Sequence, residues 1–386
     1  MARDLILVAI SLFTWGLGEG AFLSFQPLYL QQLGADPLRI GAILGGYGLA
    51  ATLAHIPAGY IADRLGRRPV MWAAWITGAL TIWIMALATS LPIFVVGTLL
   101  YSMTSFVIAP LNSYVAAARG KWSVGRVLTL VSASYNAGAV LGPALGGMIG
   151  ERFGYRTIFL VAACIIIVST LVILFIRPQP VDVPHPEERG KNLLRNNRYV
   201  VFVLAYFIAT FAMYLPQPLS PNFLQNQRNL GLAQIGQLYS ISSFGIVVLN
   251  LVLGQINARL GFLIGQVAVG LFALILWRGS GFVWYGLAYF LMGGFRSART
   301  LATAQIRSIV SESNMGLAFG LAETVTAFAL FLAPPIAGYI YDRDPLKVYA
   351  LSLAAIAGSI IVSAILSSGI TTRRMVEEKL PSQEII

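Results

Sequence analysis

The chain has 386 residues, of which 57% are hydrophobic and only 11% are charged. A soluble domain carries about 25% charged residues, and so few polar side chains do not cover the surface of a water-soluble globule of this size. An ordinary cytosolic enzyme is therefore excluded. The mean hydropathy of +0.77 agrees. Twelve membrane spans of about 20 residues use roughly 240 residues, which leaves short loops and one linker and predicts a polytopic helical membrane protein.

The net charge of +11 is not spread as a nucleic-acid surface would require. Basic residues cluster between apolar runs: Arg64, Arg67 and Arg68; Arg119, Lys121 and Arg126; Arg177, Arg189, Lys191, Arg195 and Arg198; Arg373, Arg374 and Lys379. These clusters fall on alternate loops, the positive-inside pattern, and predict a cell-membrane protein with both termini and the central loop in the cytoplasm. Cys164 is the one cysteine, so neither a disulfide framework nor a cysteine zinc site is available. The apolar stretch from Leu5 runs past the length of a signal-peptide core without a small-residue cleavage site, and reads as an uncleaved first span.

In chain order, the expected spans are Leu5–Leu30, Arg39–Ala62, Pro69–Thr89, Pro92–Ala118, Gly125–Gly150 and Thr157–Ile176. A proline- and charge-rich stretch from Pro178 to Arg198 cannot span a bilayer and reads as the linker. Six further spans follow at Tyr199–Leu224, Ala233–Ala258, Phe262–Arg278, Phe282–Ser308, Gly316–Tyr341 and Leu346–Ser367. The expected division is an N-terminal six-helix half over 1–176, a cytoplasmic linker over 177–198, a C-terminal six-helix half over 199–368 and a cytoplasmic tail over 369–386.

The halves read as copies. GYIADRLG (Gly59–Gly66) aligns with GQINARLG (Gly254–Gly261), and GPALGGMIGER (Gly142–Arg152) aligns with APPIAGYIYDR (Ala333–Arg343) at nearly the same offset. A parallel six-plus-six repeat is one plan of secondary transporters. The stretch GYIADRLGRRPVM closely resembles the loop motif G-x-x-x-D-R-x-G-R-R of the major facilitator superfamily, with a faded second copy in which Ala258 stands where Asp63 stands in the first. The resemblance covers the whole chain. It implies an all-α membrane protein of twelve transmembrane helices in two pseudo-symmetric halves, with a cavity lined by spans 1, 4, 7 and 10.

The resemblance further implies that Gly59, Asp63, Arg64, Gly66, Arg67 and Arg68 form a cytoplasmic gate that latches the halves; the plainer reading is a tight turn with topology anchors. Span 5 carries Gly138, Gly142, Pro143, Gly146 and Gly147, small residues at four-residue spacing that permit a close helix crossing. Within the superfamily this pattern is similar to the antiporter motif of proton-driven drug exporters, although close packing alone accounts for it.

Ionisable residues inside a span are costly and are functional candidates by default. Here they are Glu19, His55, Arg296, Arg299 and Glu323. At about 1.5 Å per residue, His55, Arg299 and Glu323 lie in a layer roughly 10–13 Å from the cytoplasmic ends, with Arg296 and Glu19 deeper. Three roles compete: ion pairs of Arg299 with Glu323 and Arg296 with Glu19, a proton site on Glu19, Glu323 or His55, and an anion site on Arg296. Polar and aromatic positions at helical spacing supply cavity candidates: Trp15 and Gln26 on span 1; Tyr101, Ser105 and Asn112 on span 4; Tyr206, Thr210 and Gln217 on span 7; Tyr239 on span 8; Tyr289, Arg296, Arg299 and Thr303 on span 10.

The expected function is secondary active transport, with proton-coupled export of amphipathic organic compounds by alternating access. The alternative is an organic-anion carrier with Arg296 and Arg299 as counter-charge. The expected partners are a small-molecule substrate, protons as the coupling ion and the lipid bilayer, without nucleic acid and with the chain a monomer. No cofactor is expected. The glycine pattern at Gly16–Gly20 lies inside a span, no Walker lysine loop or H-E-x-x-H zinc pair occurs, and no nucleophile–base set suggests an enzyme. A receptor would call for a large extramembranous domain.

Overall fold

The computed structural model describes residues 3–179, 193, 196–307, 309, 310 and 314–377, and the side chains among them other than those of 55–65, 316 and 366–377. The described residues are almost entirely helical and contain no strand. The first half is built from α1 (Arg3–Leu23), α2 (Gln26–Gln32), α3 (Pro37–Leu65), α4 (Arg67–Leu87), α5 (Leu91–Met103), α6 (Ile108–Ala117), α7 (Val124–Phe153) and α8 (Tyr155–Ile173). The second is built from α9 (Asn197–Tyr214), α10 (Ser220–Arg228), α11 (Leu232–Leu253), α12 (Ala258–Arg278), α13 (Phe282–Met292), α14 (Gly294–Ile306), α15 (Met315–Arg343) and α16 (Pro345–Glu377).

Among the described residues, eleven stretches are long and apolar enough to cross a membrane. The remaining expected span, Phe282–Ser308, is divided at Gly293 into α13 and α14, each too short to cross alone. Twelve spans result, in two pseudo-symmetric halves. Four of them are broken: α1–α2, α5–α6 through a 3-10 turn at Thr104–Val107, α9–α10 and α13–α14. These are spans 1, 4, 7 and 10, the ones expected to line the cavity. Irregular backbone at membrane depth is tolerated where it faces a cavity or other protein rather than lipid. The last helix, α16, runs past the expected span end at Ser367 to Glu377, because no proline occurs in that stretch to stop it.

The halves meet along two helix pairs, α3 with α15 and α7 with α11. The pairs exchange under the internal repeat, since α3 corresponds to α11 and α7 to α15. Glycine makes both approaches possible. A Cβ on Gly41 or Gly338 would overlap the Pro334 or Pro37 carbonyl, and one on Gly236 would overlap that of Pro143.

The span 5 motif divides between two partners. Gly138, Gly142 and Gly146 lie against the carbonyls of Phe13, Leu17 and Ala21 on α1, one turn apart on each helix, while Gly147 and the Pro143 carbonyl face α11 and the Pro143 ring lies against Gly20 of α1. Its packing role is thus explicit: one stripe binds α7 within its own half, and the neighbouring stripe seats the other half.

Contacts between the halves gather on the face that carries the short turns at 33–36, 154 and 229–231. There Asn222 Nδ2 donates to Gln31 Oε1 at 2.6 Å and to the Pro27 carbonyl at 3.2 Å. The Tyr155 hydroxyl and the Gln225 amide are also hydrogen bonded. Glu151 Oε2 accepts from the Ala233 N–H at 3.2 Å, placing a carboxylate from α7 at the N-terminus of α11, where the helix dipole favours it. On the opposite face, Arg177 holds Asp4 at 2.8 Å, tying the end of α8 to the start of α1.

Candidate functional site

Arg296 lines three cavities, of which the central one is walled by both halves. A central cavity of about 310 Å³ is bounded by Glu19, Gln26, Tyr47, Tyr214, Gln217 and Tyr239 among others. A side chamber of about 510 Å³ extends into the first half between α1, α3, α4, α5–α6 and α7; every residue lining it comes from that half except Arg296. A vestibule of about 510 Å³ leads to the linker face past Arg299, Thr300, Thr303, Arg307, Phe319 and Glu323. Arg296, Thr300, Arg307 and Glu323 are exposed, so the cavities open toward the linker face and are closed by the contacts on the turn face.

The helix breaks put these groups in place. The turn at Thr104–Val107 brings Thr104 and Ser105 to the chamber wall. The break between α9 and α10 presents Gln217 and Pro218 to the central cavity. Gly293, packed against Gly245 of α11, separates α13 from α14, and Arg296 at the start of α14 lines a chamber otherwise walled by the first half. A buried relay stiffens the chamber wall: Trp75 Nε1 donates to Ser169 Oγ at 2.9 Å, Ser169 Oγ donates to the Ser11 carbonyl at 2.6 Å, and Trp75 packs on Trp15 with ring centroids 5.2 Å apart.

The intramembrane charges divide into one pair and two separate groups. Arg299 Nη2 lies 3.1 Å from Glu323 Oε2, as one of the sequence readings has it. Glu19 and Arg296 form no ion pair; Glu19 Oε2 accepts from the Tyr135 hydroxyl at 2.8 Å. Both line the central cavity and the side chamber. The His55 side chain lies outside the described residues, as do those of Gly59, Asp63 and Arg64 in the gate motif. Of the rest of that motif, Gly66 caps α4 with φ 84°, a backbone that favours glycine. Arg67 donates to Gln179 Oε1 at 3.2 Å, and Arg68 stacks 3.9 Å over the Trp72 ring.

Trp15, Ser105 and Asn112 line the side chamber, Gln26, Gln217 and Tyr239 the central cavity, and Arg299 and Thr303 the vestibule. Four candidates, Tyr101, Tyr206, Thr210 and Tyr289, line none of these three cavities. Tyr101 is buried beside Trp15 and Phe22. Tyr206 shares a 2.8 Å hydrogen bond with Thr326, Thr210 is fully buried, and the buried Tyr289 hydroxyl donates to Ser220. Their polar atoms follow the helical stripe, but they face neighbouring helices. Gln26, although it borders the central cavity, spends its amide on Thr98 Oγ1 at 2.9 Å.

Sequence reading missed Tyr47, Trp75, Tyr135 and Tyr214 in the cavity walls. Tyr135 carried a usable signal: it lies three positions before Gly138, on the stripe that packs against α1, and so faces Glu19.

With the geometry in view, similarities to known proteins are consistent. A sequence profile of the Major Facilitator Superfamily matches residues 8–294 and 202–384. An uncharacterized MFS-type transporter of Methanocaldococcus jannaschii is 22% identical, over 89% of this chain and 92% of that protein. The multi-drug resistance efflux pump PmrA of Streptococcus pneumoniae is 25% identical over 73% of this chain and 74% of its own. The multidrug resistance protein MdtG of Enterobacter lignolyticus is 23% identical over 99% and 95%. Among solved structures, a mutant of the nucleoside transporter NupG superposes with a TM-score of 0.82 at 15% identity, covering 94% of this chain and all of that one. A mutant peptide transporter POT superposes with a TM-score of 0.80 at 14% identity, covering 97% and 95%.

Proposed function

The chain belongs to the major facilitator superfamily, and on that premise we propose that it is a secondary active transporter exporting amphipathic organic compounds in exchange for protons. The observation that carries this reading is Glu19: a carboxylate on the wall of two cavities at membrane depth, hydrogen bonded to Tyr135 and joined to no cation. A charge in that position is costly, so the group is well served by a proton or by a cationic group of the cargo, and exchange of one for the other couples the two fluxes. Glu323 and His55 remain further coupling candidates, Glu323 through its pair with Arg299.

The basic clusters put the linker face in the cytoplasm, with both termini on that side of the cell membrane, and the described conformation is then inward-facing. Alternating access requires the turn-face contacts to part and the linker-face vestibule to close. The gate motif at 59–68 is suited to hold that second state. The chain works as a monomer, since the cavities are complete within one copy. Export is the direction supported by relatives named as efflux pump and multidrug resistance protein.

A second reading, an organic-anion carrier, is favoured by one observation: Arg296 has no hydrogen bond or ion pair from its guanidinium among the described residues, whereas Arg299 is paired. Liposomes containing the purified protein test the choice. An imposed proton gradient should drive accumulation of a labelled amphipathic amine, and an ionophore that collapses the gradient should abolish it. Accumulation of anions alone, indifferent to the proton gradient, would favour the second reading.

A further inference from the structure

The side chamber contains an asymmetry that a cavity for cations does not explain. Its walls are aromatic and aliphatic, with Trp15 and Trp75 packed together, and its polar groups are unequally engaged. Ser102 and Thr104 donate to carbonyls of their own helix. The Ser105 hydroxyl has no partner, and the Asn112 amide forms no hydrogen bond among the described residues. At the mouth stand a carboxyl and a guanidinium, Glu19 and Arg296, not paired to each other. Arg296 comes from the opposite half of the molecule.

A carboxylate at this depth is costly without a partner, and the Arg296 guanidinium borders the same space without one among the described residues. A ligand with a negative and a positive group, held apart on a rigid frame, satisfies both at once. A purely cationic ligand would leave Arg296 facing its charge, and a purely anionic one would leave Glu19 in the same position.

We propose that the side chamber and its mouth bind aromatic zwitterions, the cargo's cationic amine on Glu19, its carboxylate or other anionic group on Arg296, and its ring system against the wall that Trp15 and Trp75 form together, with Ser105 and Asn112 as hydrogen-bonding partners. The proposal rests on the exchange reading above and refines it. The cargo's amine and a proton compete for the same Glu19 carboxylate, which gives antiport, while the anionic group on Arg296 bridges the halves. The titratable or charged groups facing Glu19 are Tyr47 of α3, Tyr101 of α5, Tyr135 of α7 and Arg296 of α14. Phenols remain neutral at physiological pH, so Arg296 is the one fixed charge that biases it.

The test is a binding series on one scaffold, read by thermal shift and by isothermal titration with the full-length protein. The probes are a biphenyl bearing an aminomethyl group on one ring and a carboxylate on the other, and the two analogues that each keep a single charge. The zwitterion should bind wild-type protein on the order of tenfold or more tightly than either analogue, the scale of one charged hydrogen bond. Glu19→Gln should transfer the preference to the carboxylate analogue, and Arg296→Gln to the amine.

Equal affinity for all three probes in the wild type, a comparison that does not depend on any variant folding, would overturn the proposal. So would a charge preference that neither substitution moves. Proton-driven transport of the amine analogue with no zwitterion preference would sink this inference and leave the exchange reading standing. Zwitterion preference without proton-driven transport would do the reverse.

Discussion

Glu19 accepts its 2.8 Å hydrogen bond from the Tyr135 hydroxyl and not from Arg296, although Arg296 borders the same two cavities. The carboxylate is therefore held in position by a neutral donor on α7 and remains available to a proton or a cationic cargo. Tyr135→Phe keeps the ring that packs against α1 and removes the donor. A hydrogen bond to a charged group contributes about 1.5–3 kcal/mol, so proton-coupled transport should slow roughly tenfold or more while the melting temperature falls only modestly. Parallel liposome flux and thermal-denaturation measurements check this; unchanged flux would remove Tyr135 from the coupling scheme.

The turn-face seal depends on backbone contact between α7 and α11. A Cβ on Gly236 would overlap the Pro143 carbonyl, and overpacking a tight contact costs about 1–3 kcal/mol. Gly236→Val should accordingly disfavour the conformation described here and raise the population open to the turn face. Cysteine probes at Gln31 and Asn222, which face each other across the seal, should become more reactive toward a membrane-impermeant thiol reagent in that background. No increase would mean that the contact does not hold the seal.

Much of this arrangement is legible in the sequence, and the exceptions have a physical pattern. Composition, the apolar runs and the two aligned repeats suffice for twelve spans in two halves. Trp15, Asn112 and Gln217 are found on cavity walls because polar and aromatic side chains at helical spacing face a common side. The same spacing also selects Tyr101, Tyr206, Thr210 and Tyr289, which are buried against neighbouring helices. Periodicity identifies the inward side of a helix but does not separate a cavity from a core, and the breaks at Thr104–Val107 and Gly293 re-aim the stripe midway. Tyr47 and Tyr135 are missed because their helices, α3 and α7, are spans 2 and 5, not among the spans 1, 4, 7 and 10 expected to line the cavity.

The Arg299–Glu323 pair is a weaker structural element than its position in the sequence suggests. The Glu323 side chain is 62% exposed to the vestibule, and exposed ion pairs contribute about 0–1 kcal/mol. Glu323→Gln should lower unfolding stability by no more than about 1 kcal/mol, as measured by denaturation in detergent. A larger loss would show that the pair holds α14 to α15 more firmly than its exposure implies.

Ser169 is the opposite case, a remote residue with structural consequences for the chamber. It accepts the Trp75 indole N–H and donates to the Ser11 carbonyl, and both serines are fully buried. Ser169→Ala leaves the indole N–H without its acceptor, at about 1–3 kcal/mol. The melting temperature should fall, and ligands that need the Trp15–Trp75 wall should bind more weakly than those held in the vestibule.

The most direct test of proton exchange at Glu19 compares two transport modes in liposomes containing Glu19→Gln protein. A neutral side chain at position 19 removes the proton site but leaves the path between the halves intact. Substrate–substrate counterflow, measured at substrate concentrations high enough to offset the lost Glu19 contact, should persist while accumulation driven by an imposed proton gradient disappears. If gradient-driven accumulation survives in the Glu19→Gln protein at the wild-type rate, the coupling site lies elsewhere and the central claim fails.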